Sequence, residues 1–171
     1  MITVTGHCSD TRYVDINGCQ LEIQYTTQSG VSYDENTPVI VLLHEGLGCV
    51  ELWRQFPQLL CERSRCSVIA YSRAGYGSSD AAVLPRPLDY MTREAIDVLP
   101  LVLDSIGARK YILVGHSDGA TIAAINVGST SDYRVRGLVL LAPHFYTEAK
   151  AVAAITQTRA CLLYTSPSPR D

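Results

Sequence analysis

Gly115-His-Ser-Asp-Gly119 is the stretch of this sequence with the clearest capacity for chemistry. Ile112-Leu-Val114 before it is an apolar run with β character. Ala120-Thr-Ile-Ala-Ala-Ile125 after it is a helical stretch of small residues. A strand, a tight Gly-x-Ser-x-Gly turn and a helix place one serine hydroxyl on a strained bend above a sheet. The glycines at either side are required because the bend leaves no room for a Cβ beside the turning backbone. The helix directs its first N–H groups toward the serine, where negative charge is stabilised. Ser117 is therefore the candidate nucleophile. The pattern alone also describes a surface turn with an ordinary serine; its strand–turn–helix setting is what gives it weight.

Acyl transfer needs a nucleophile, a base to take its proton, and donors aimed at the developing oxyanion. The N–H of Asp118 supplies one donor. The second is expected from His44-Glu-Gly-Leu-Gly48, a glycine-rich loop that follows an earlier apolar run, with Gly46 the first choice and Glu45 or Leu47 next. Glu45 and His144 are candidate substrate contacts, His144 because it follows a strand that ends beside the site. His116 is too close to Ser117 in the turn to serve as its base, and His7 is read as part of a flexible start. Glu148 is a possible stand-in for an acid. The Asp118 carboxylate suits the first turn of a helix, where it is favourable by about 0.3–1 kcal/mol. Cys49, with no base nearby in sequence, reads as a passive thiol. Trp53 and Phe56 read as packing residues rather than a substrate platform. Gly75-Tyr-Gly77 is not a dinucleotide fingerprint, since Asp80 takes the place of the third glycine.

The elements that must carry these residues follow from periodicity. Tyr13 to Tyr25 alternates apolar and polar residues about Asn17-Gly18, which predicts a hairpin with a type I′ turn. Pro38-Val-Ile-Val-Leu-Leu43, Cys66-Ser-Val-Ile-Ala-Tyr71 and Val135 to Ala142 read as buried strands. Leu52, Phe56, Leu59 and Leu60 are spaced for one helical face, with Pro57 expected to kink or split that helix. Ile96, Leu99, Leu103 and Ile106 mark a second helix, kinked at Pro100 and stopped by Gly107. Thr147 to Ala160 reads as an alanine-rich helix. Strands alternating with helices after an initial hairpin predict an α/β fold with a mostly parallel sheet.

The chain has 171 residues, 47% hydrophobic and 18% charged, with a net charge of −3. That balance predicts a globular domain and gives no electrostatic case for nucleic acid. No apolar run approaches the roughly 20 residues of a membrane span. Six cysteines without a Cys-x-x-Cys pair or metal-like spacing predict free thiols in a reducing, cytoplasmic setting, and no metal site is expected. Cys161-Leu-Leu-Tyr-Thr-Ser-Pro-Ser-Pro-Arg-Asp171 matches, residue for residue, one reading frame of a transposase-type sequencing adaptor. The expectation is a partial domain over residues 1–160 followed by an artefactual tail over 161–171.

The His44–Gly48 loop, the Arg73-Ala-Gly-Tyr-Gly-Ser-Ser79 loop and the Gly115–Gly119 elbow, in that order, resemble the α/β-hydrolase family from Tyr13 to about Ala160. The resemblance implies an eight-stranded sheet, a helical lid after strand six and a Ser–acid–His triad, with the chain truncated after strand six and the start of the lid. It maps the nucleophile to Ser117 and the oxyanion donors to Asp118 and the His44–Gly48 loop. The triad acid and histidine fall after strands seven and eight, so this fragment is expected to be inactive by itself. Two positions depart from the pattern: Glu45 stands where a glycine after the histidine is usual, and Ser72 where many relatives carry aspartate. What the resemblance implies is a serine hydrolase acting on an ester, an enol lactone or a C–C bond next to a carbonyl. Its partner would be a small-molecule carbonyl substrate, with no cofactor. A haloperoxidase-like or acyltransferase member, or a non-catalytic ligand-binding relative, is the alternative.

Overall fold

Strand β3 (Val39–Leu43) shows why a run without polar residues is needed at the centre of this sheet. Its side chains alternate between faces, and both faces are covered. Ile40 and Leu42 are buried with Cys61, Val68 and Val114, while Val41 and Leu43 are buried with Ile69, Leu99, Leu103 and Ile122. Helices must therefore lie on both sides of the sheet. The structure, a computed structural model, describes residues 7–29, 36–146, 149, 150, 152–154, 156 and 157.

The chain begins with a hairpin, β1 (His7–Ile16) and β2 (Cys19–Gln28), in continuous register from His7 against Gln28 to Ile16 against Cys19. Asn17 and Gly18 both take positive φ, 55° and 81°, as a type I′ turn demands. The hairpin is longer than periodicity predicts, and His7 is a strand residue rather than part of a flexible start. After β3 come α1 (Phe56–Ser64), β4 (Val68–Tyr71), α2 (Tyr90–Arg93), α3 (Leu99–Ile106), β5 (Tyr111–His116), α4 (Asp118–Ser129) and β6 (Val135–Leu141). The sheet order is β1-β2-β4-β3-β5-β6. β2 runs antiparallel to β4, and β3, β4, β5 and β6 are mutually parallel.

Three expectations about burial need correction. Leu52, Phe56 and Leu59 are exposed, and the inward residues of α1 are Pro57 and Cys61. Pro57 splits the predicted helix: a short 3-10 turn over Glu51–Trp53 precedes α1, and the proline sits in the first turn of α1, where its missing N–H costs nothing. A break in the helix resets the phase of the apolar face. The same reason applies at Ile96, which is exposed. Between α2 and α3 lies a π-helical turn, Glu94–Val98, whose wider winding moves the inward face to Ala95, Leu99, Val102 and Leu103. Pro100 then falls in the first turn of α3. Finally, β6 is not a buried strand: Leu138, Val139 and Leu141 are 36%, 44% and 41% exposed, because among the described residues β6 pairs only with β5. The described part of the helix predicted over 147–160 is helical at residues 149, 150, 152–154, 156 and 157; Glu148 and the stretch 161–171 lie outside the described residues.

Candidate active site

Four parallel strands end at the same edge of the sheet, and each delivers one candidate group there. β3 leads into His44, β4 into Ser72 and Arg73, β5 into Ser117, and β6 into Pro143 and His144. An open parallel sheet places its ligand crevice at this edge. Ser117 is the residue on which the chain turns from β5 into α4, with φ 52° and ψ −114°, a conformation strained for any residue but glycine. The turn is feasible because of its flanking glycines. A Cβ on Gly115 would collide with the Gly119 carbonyl and with Ala120, and one on Gly119 would collide with the Leu43 carbonyl. The elbow is tied to the sheet by the Ser117 N–H, which donates to the Leu141 carbonyl at 2.8 Å. Ser117 Oγ has no hydrogen-bond partner among the described residues. The Asp118 N–H, at the first position of α4, has no intrahelical acceptor.

The His44–Gly48 loop faces the elbow. His44 is buried, with Nδ1 2.7 Å from the Glu45 carbonyl and Nε2 accepting from the Arg73 N–H at 3.0 Å. Burial first, and then the nearby Arg73 cation, push the His44 imidazole down from its ordinary 6.5 to about 3. Nδ1 therefore carries the proton, and His44 is a neutral fixture rather than a base. Two of the loop's N–H groups are already engaged: Leu47 donates to Glu45 Oε2 at 2.5 Å, and Gly48 to the Glu45 carbonyl at 3.1 Å. The Gly46 N–H has no acceptor among the described residues. Gly46 also lies against the elbow, since a Cβ there would stand 3.0 Å from Asp118 Oδ2.

Asp118 is the meeting point of three elements. His144 Nε2 is 3.0 Å from Asp118 Oδ1, and the Tyr90 hydroxyl donates to Asp118 Oδ2. Thr121 Oγ1 donates to the His144 carbonyl at 3.0 Å, which pins the segment after β6 onto α4. Burial and the adjoining Asp118 carboxylate raise the Tyr90 phenol above its ordinary value, so it stays a donor. Tyr90 carries no signal in the sequence: it lies 28 residues before Asp118, and only the packing of α2 against α4 brings the two together.

Ser72, the departure noted above, is buried and structural. Its hydroxyl donates to Glu22 Oε2 at 2.7 Å and accepts from the Val50 N–H at 2.9 Å. Cys49, Leu52, Trp53 and His116 line a cavity of about 200 Å³ together with His44, Glu45 and Gly48 of the loop. Trp53 stacks on Phe56 with ring centres 5.5 Å apart. Cys8, Cys19, Cys49 and Cys66 are free thiols. Among the described residues no group of three or more His, Cys, Asp or Glu side chains is arranged to hold a metal, and no helix is long and apolar enough to cross a membrane.

Residues 40–170 match the model of the alpha/beta hydrolase family. The chain belongs to the alpha/beta hydrolase family. The match extends into residues 161–170, within the stretch expected above to be an artefactual tail. Mouse epoxide hydrolase 4 is 30% identical over 141 residues, covering 81% of this chain and 35% of that protein. Epoxide hydrolase 2 of Siraitia grosvenorii is 32% identical over 127 residues, covering 73% of this chain and 38% of the relative. This alpha/beta hydrolase chain thus spans little more than a third of the length of those curated relatives. Among solved structures, a Vigna radiata epoxide hydrolase mutant aligns at a TM-score of 0.64 with 25% identity, over 88% of this chain and 44% of that one. A predicted CIB-like hydrolase from Thermoplasma acidophilum aligns at 0.66 with 20% identity, a likeness of fold alone.

Proposed function

We propose that this chain carries the nucleophile and oxyanion half of a serine hydrolase that acts on a carbonyl: an ester, an enol lactone or a C–C bond next to a carbonyl. The observation that carries the reading is the strained elbow, with Ser117 Oγ unpartnered at the strand edge, the Asp118 N–H without an intrahelical acceptor, and Gly46, whose N–H has no acceptor among the described residues, lying against Asp118. Ser117 Oγ attacks the substrate carbonyl carbon, or activates water where a C–C bond is cleaved. The two N–H groups receive the oxyanion. His144 and Glu45, at the mouth, contact the substrate. Leu47, whose N–H is engaged by Glu45, is the weaker candidate for the second donor. A histidine and an acid outside residues 1–160 complete the relay, so residues 1–160 alone are inactive. The substrate is a small molecule, and the setting is cytoplasmic.

The names of the relatives favour a second reading, epoxide opening, and chemistry separates the two. A serine oxygen that opens an epoxide is left as an ether, with no carbonyl for water to attack, so the enzyme would be spent after one event. Epoxide turnover through a covalent intermediate needs a carboxylate nucleophile, whose product is a hydrolysable ester. The carboxylate beside the elbow is Asp118, and both of its oxygens are engaged, by Tyr90 and His144. Protein carrying the whole domain is expected to hydrolyse p-nitrophenyl acetate with many turnovers and to leave styrene oxide unchanged. Multiple turnovers on styrene oxide that survive Ser117→Ala and vanish in Asp118→Asn would establish the epoxide reading instead.

A further inference from the structure

The loop that offers Gly46 is held from beneath by a buried cation. Arg73 is only 1% exposed. Its Nη1 donates to the His44 carbonyl at 2.6 Å and its Nη2 to the Glu45 carbonyl at 2.8 Å, so one guanidinium grips two consecutive peptide units. The Arg73 N–H holds the His44 ring at the same place. Burying a charge is costly unless its donors are paired, and the His44–Gly48 loop pairs Nη1 and Nη2, while the Nε–H is buried without a partner among the described residues.

In a trans peptide the C=O and the following N–H lie on opposite edges of one plane. The cis peptide bond among the described residues is Leu84–Pro85, so Glu45–Gly46 is trans. Drawing the Glu45 oxygen toward Arg73 therefore turns the Gly46 N–H the opposite way. On a carbonyl bonded to a cation, the N–H of the same peptide is also polarised and becomes a stronger donor. We infer that Arg73 is a positioning residue that orients and polarises the Gly46 N–H as an oxyanion donor, acting through the Glu45 carbonyl. The inference rests on the serine-hydrolase reading above. Lysine cannot replace it: a single ammonium lacks the rigid fork that spans both carbonyls.

The test compares wild type, Arg73→Lys and Ser117→Ala in protein carrying the whole domain, with p-nitrophenyl acetate as substrate and an alkyl boronic acid as a mimic of the tetrahedral state. Arg73→Lys is expected to lower kcat about 10- to 100-fold, since removing a donor outright costs about 100- to 1,000-fold. KM should stay within about threefold, because the interaction is made in the transition state. Affinity for the boronic acid should fall by the same factor as kcat. A folded Arg73→Lys with wild-type kcat and boronate affinity overturns the inference. A second measurement, on wild type labelled with 15N-glycine, is independent of whether the variant folds. Boronate binding is expected to move the Gly46 amide proton downfield, and an unmoved Gly46 amide overturns the inference as well. Wild-type turnover in Ser117→Ala would instead remove the serine reading itself, and this inference with it.

Discussion

Ser117→Ala, in protein carrying the whole domain, is expected to lower ester turnover by about 10⁴- to 10⁶-fold, the range seen when a triad nucleophile is removed. The expectation is this large because the described residues offer no second nucleophile in an equivalent place. Asp118 is bonded to Tyr90 and His144, and Cys49 lies outside the elbow, just after the His44–Gly48 loop in the chain. The substitution removes one oxygen that has no hydrogen-bond partner among the described residues. It should therefore leave the fold unchanged, with KM and the unfolding transition near wild type. A loss below about tenfold would mean that the chemistry runs through another group.

The second large effect is on stability and comes from His44. Its folded value, about 3, lies below the ordinary 6.5, so the unfolded chain binds a proton that the folded chain refuses between those two limits. Stability then rises with pH across the window. The contribution of His44 is fully present above pH 6.5 and is lost as the pH falls toward 3, at about 1.4 kcal/mol per pH unit. Carboxylates also weaken the fold in acid, so the diagnostic quantity is a difference of slopes. Denaturant unfolding of His44→Gln should show a pH slope shallower than wild type by about one proton between pH 4 and 6. Equal slopes would mean that His44 takes up a proton in the folded state, and with it that the bond from the Arg73 N–H to Nε2 is not maintained.

The elbow was legible in the sequence because its constraints are local. Gly115, Ser117 and Gly119 lie within one turn, and a Cβ on Gly115 would meet the turn's own backbone; the collision of a Cβ on Gly119 with the Leu43 carbonyl is the one constraint that only the folded sheet shows. The hairpin at Asn17-Gly18 and the doubly buried β3 were legible for the same reason. Apolar helix faces were less so, because Pro57 and the π-helical turn before Pro100 each shift the phase of a pattern that a sequence shows as uninterrupted. The supports of the site were not legible at all. Tyr90 on Asp118, Glu22 beneath Ser72, and Arg73 under the His44 and Glu45 carbonyls are contacts across 28, 50 and up to 29 residues. The resemblance marks Ser72 and the loop that begins at Arg73 but not what they touch, and only the folded sheet edge reveals these contacts.

Asp118 illustrates the difference between placing a residue and understanding it. As a sequence position it is a carboxylate at a helix start, favourable for reasons of dipole alone. In the fold it also joins α2, α4 and the segment after β6, and it packs against Gly46. Its side chain thereby stands between the elbow and the His44–Gly48 loop.

The central claim, that Ser117 is the nucleophile, is tested most directly by mapping the adduct of a fluorophosphonate by mass spectrometry in protein carrying the whole domain. The account predicts a single adduct on the peptide containing Ser117, absent from Ser117→Ala. An unlabelled Ser117 in protein that turns over substrate, or an adduct on a different residue, would contradict it.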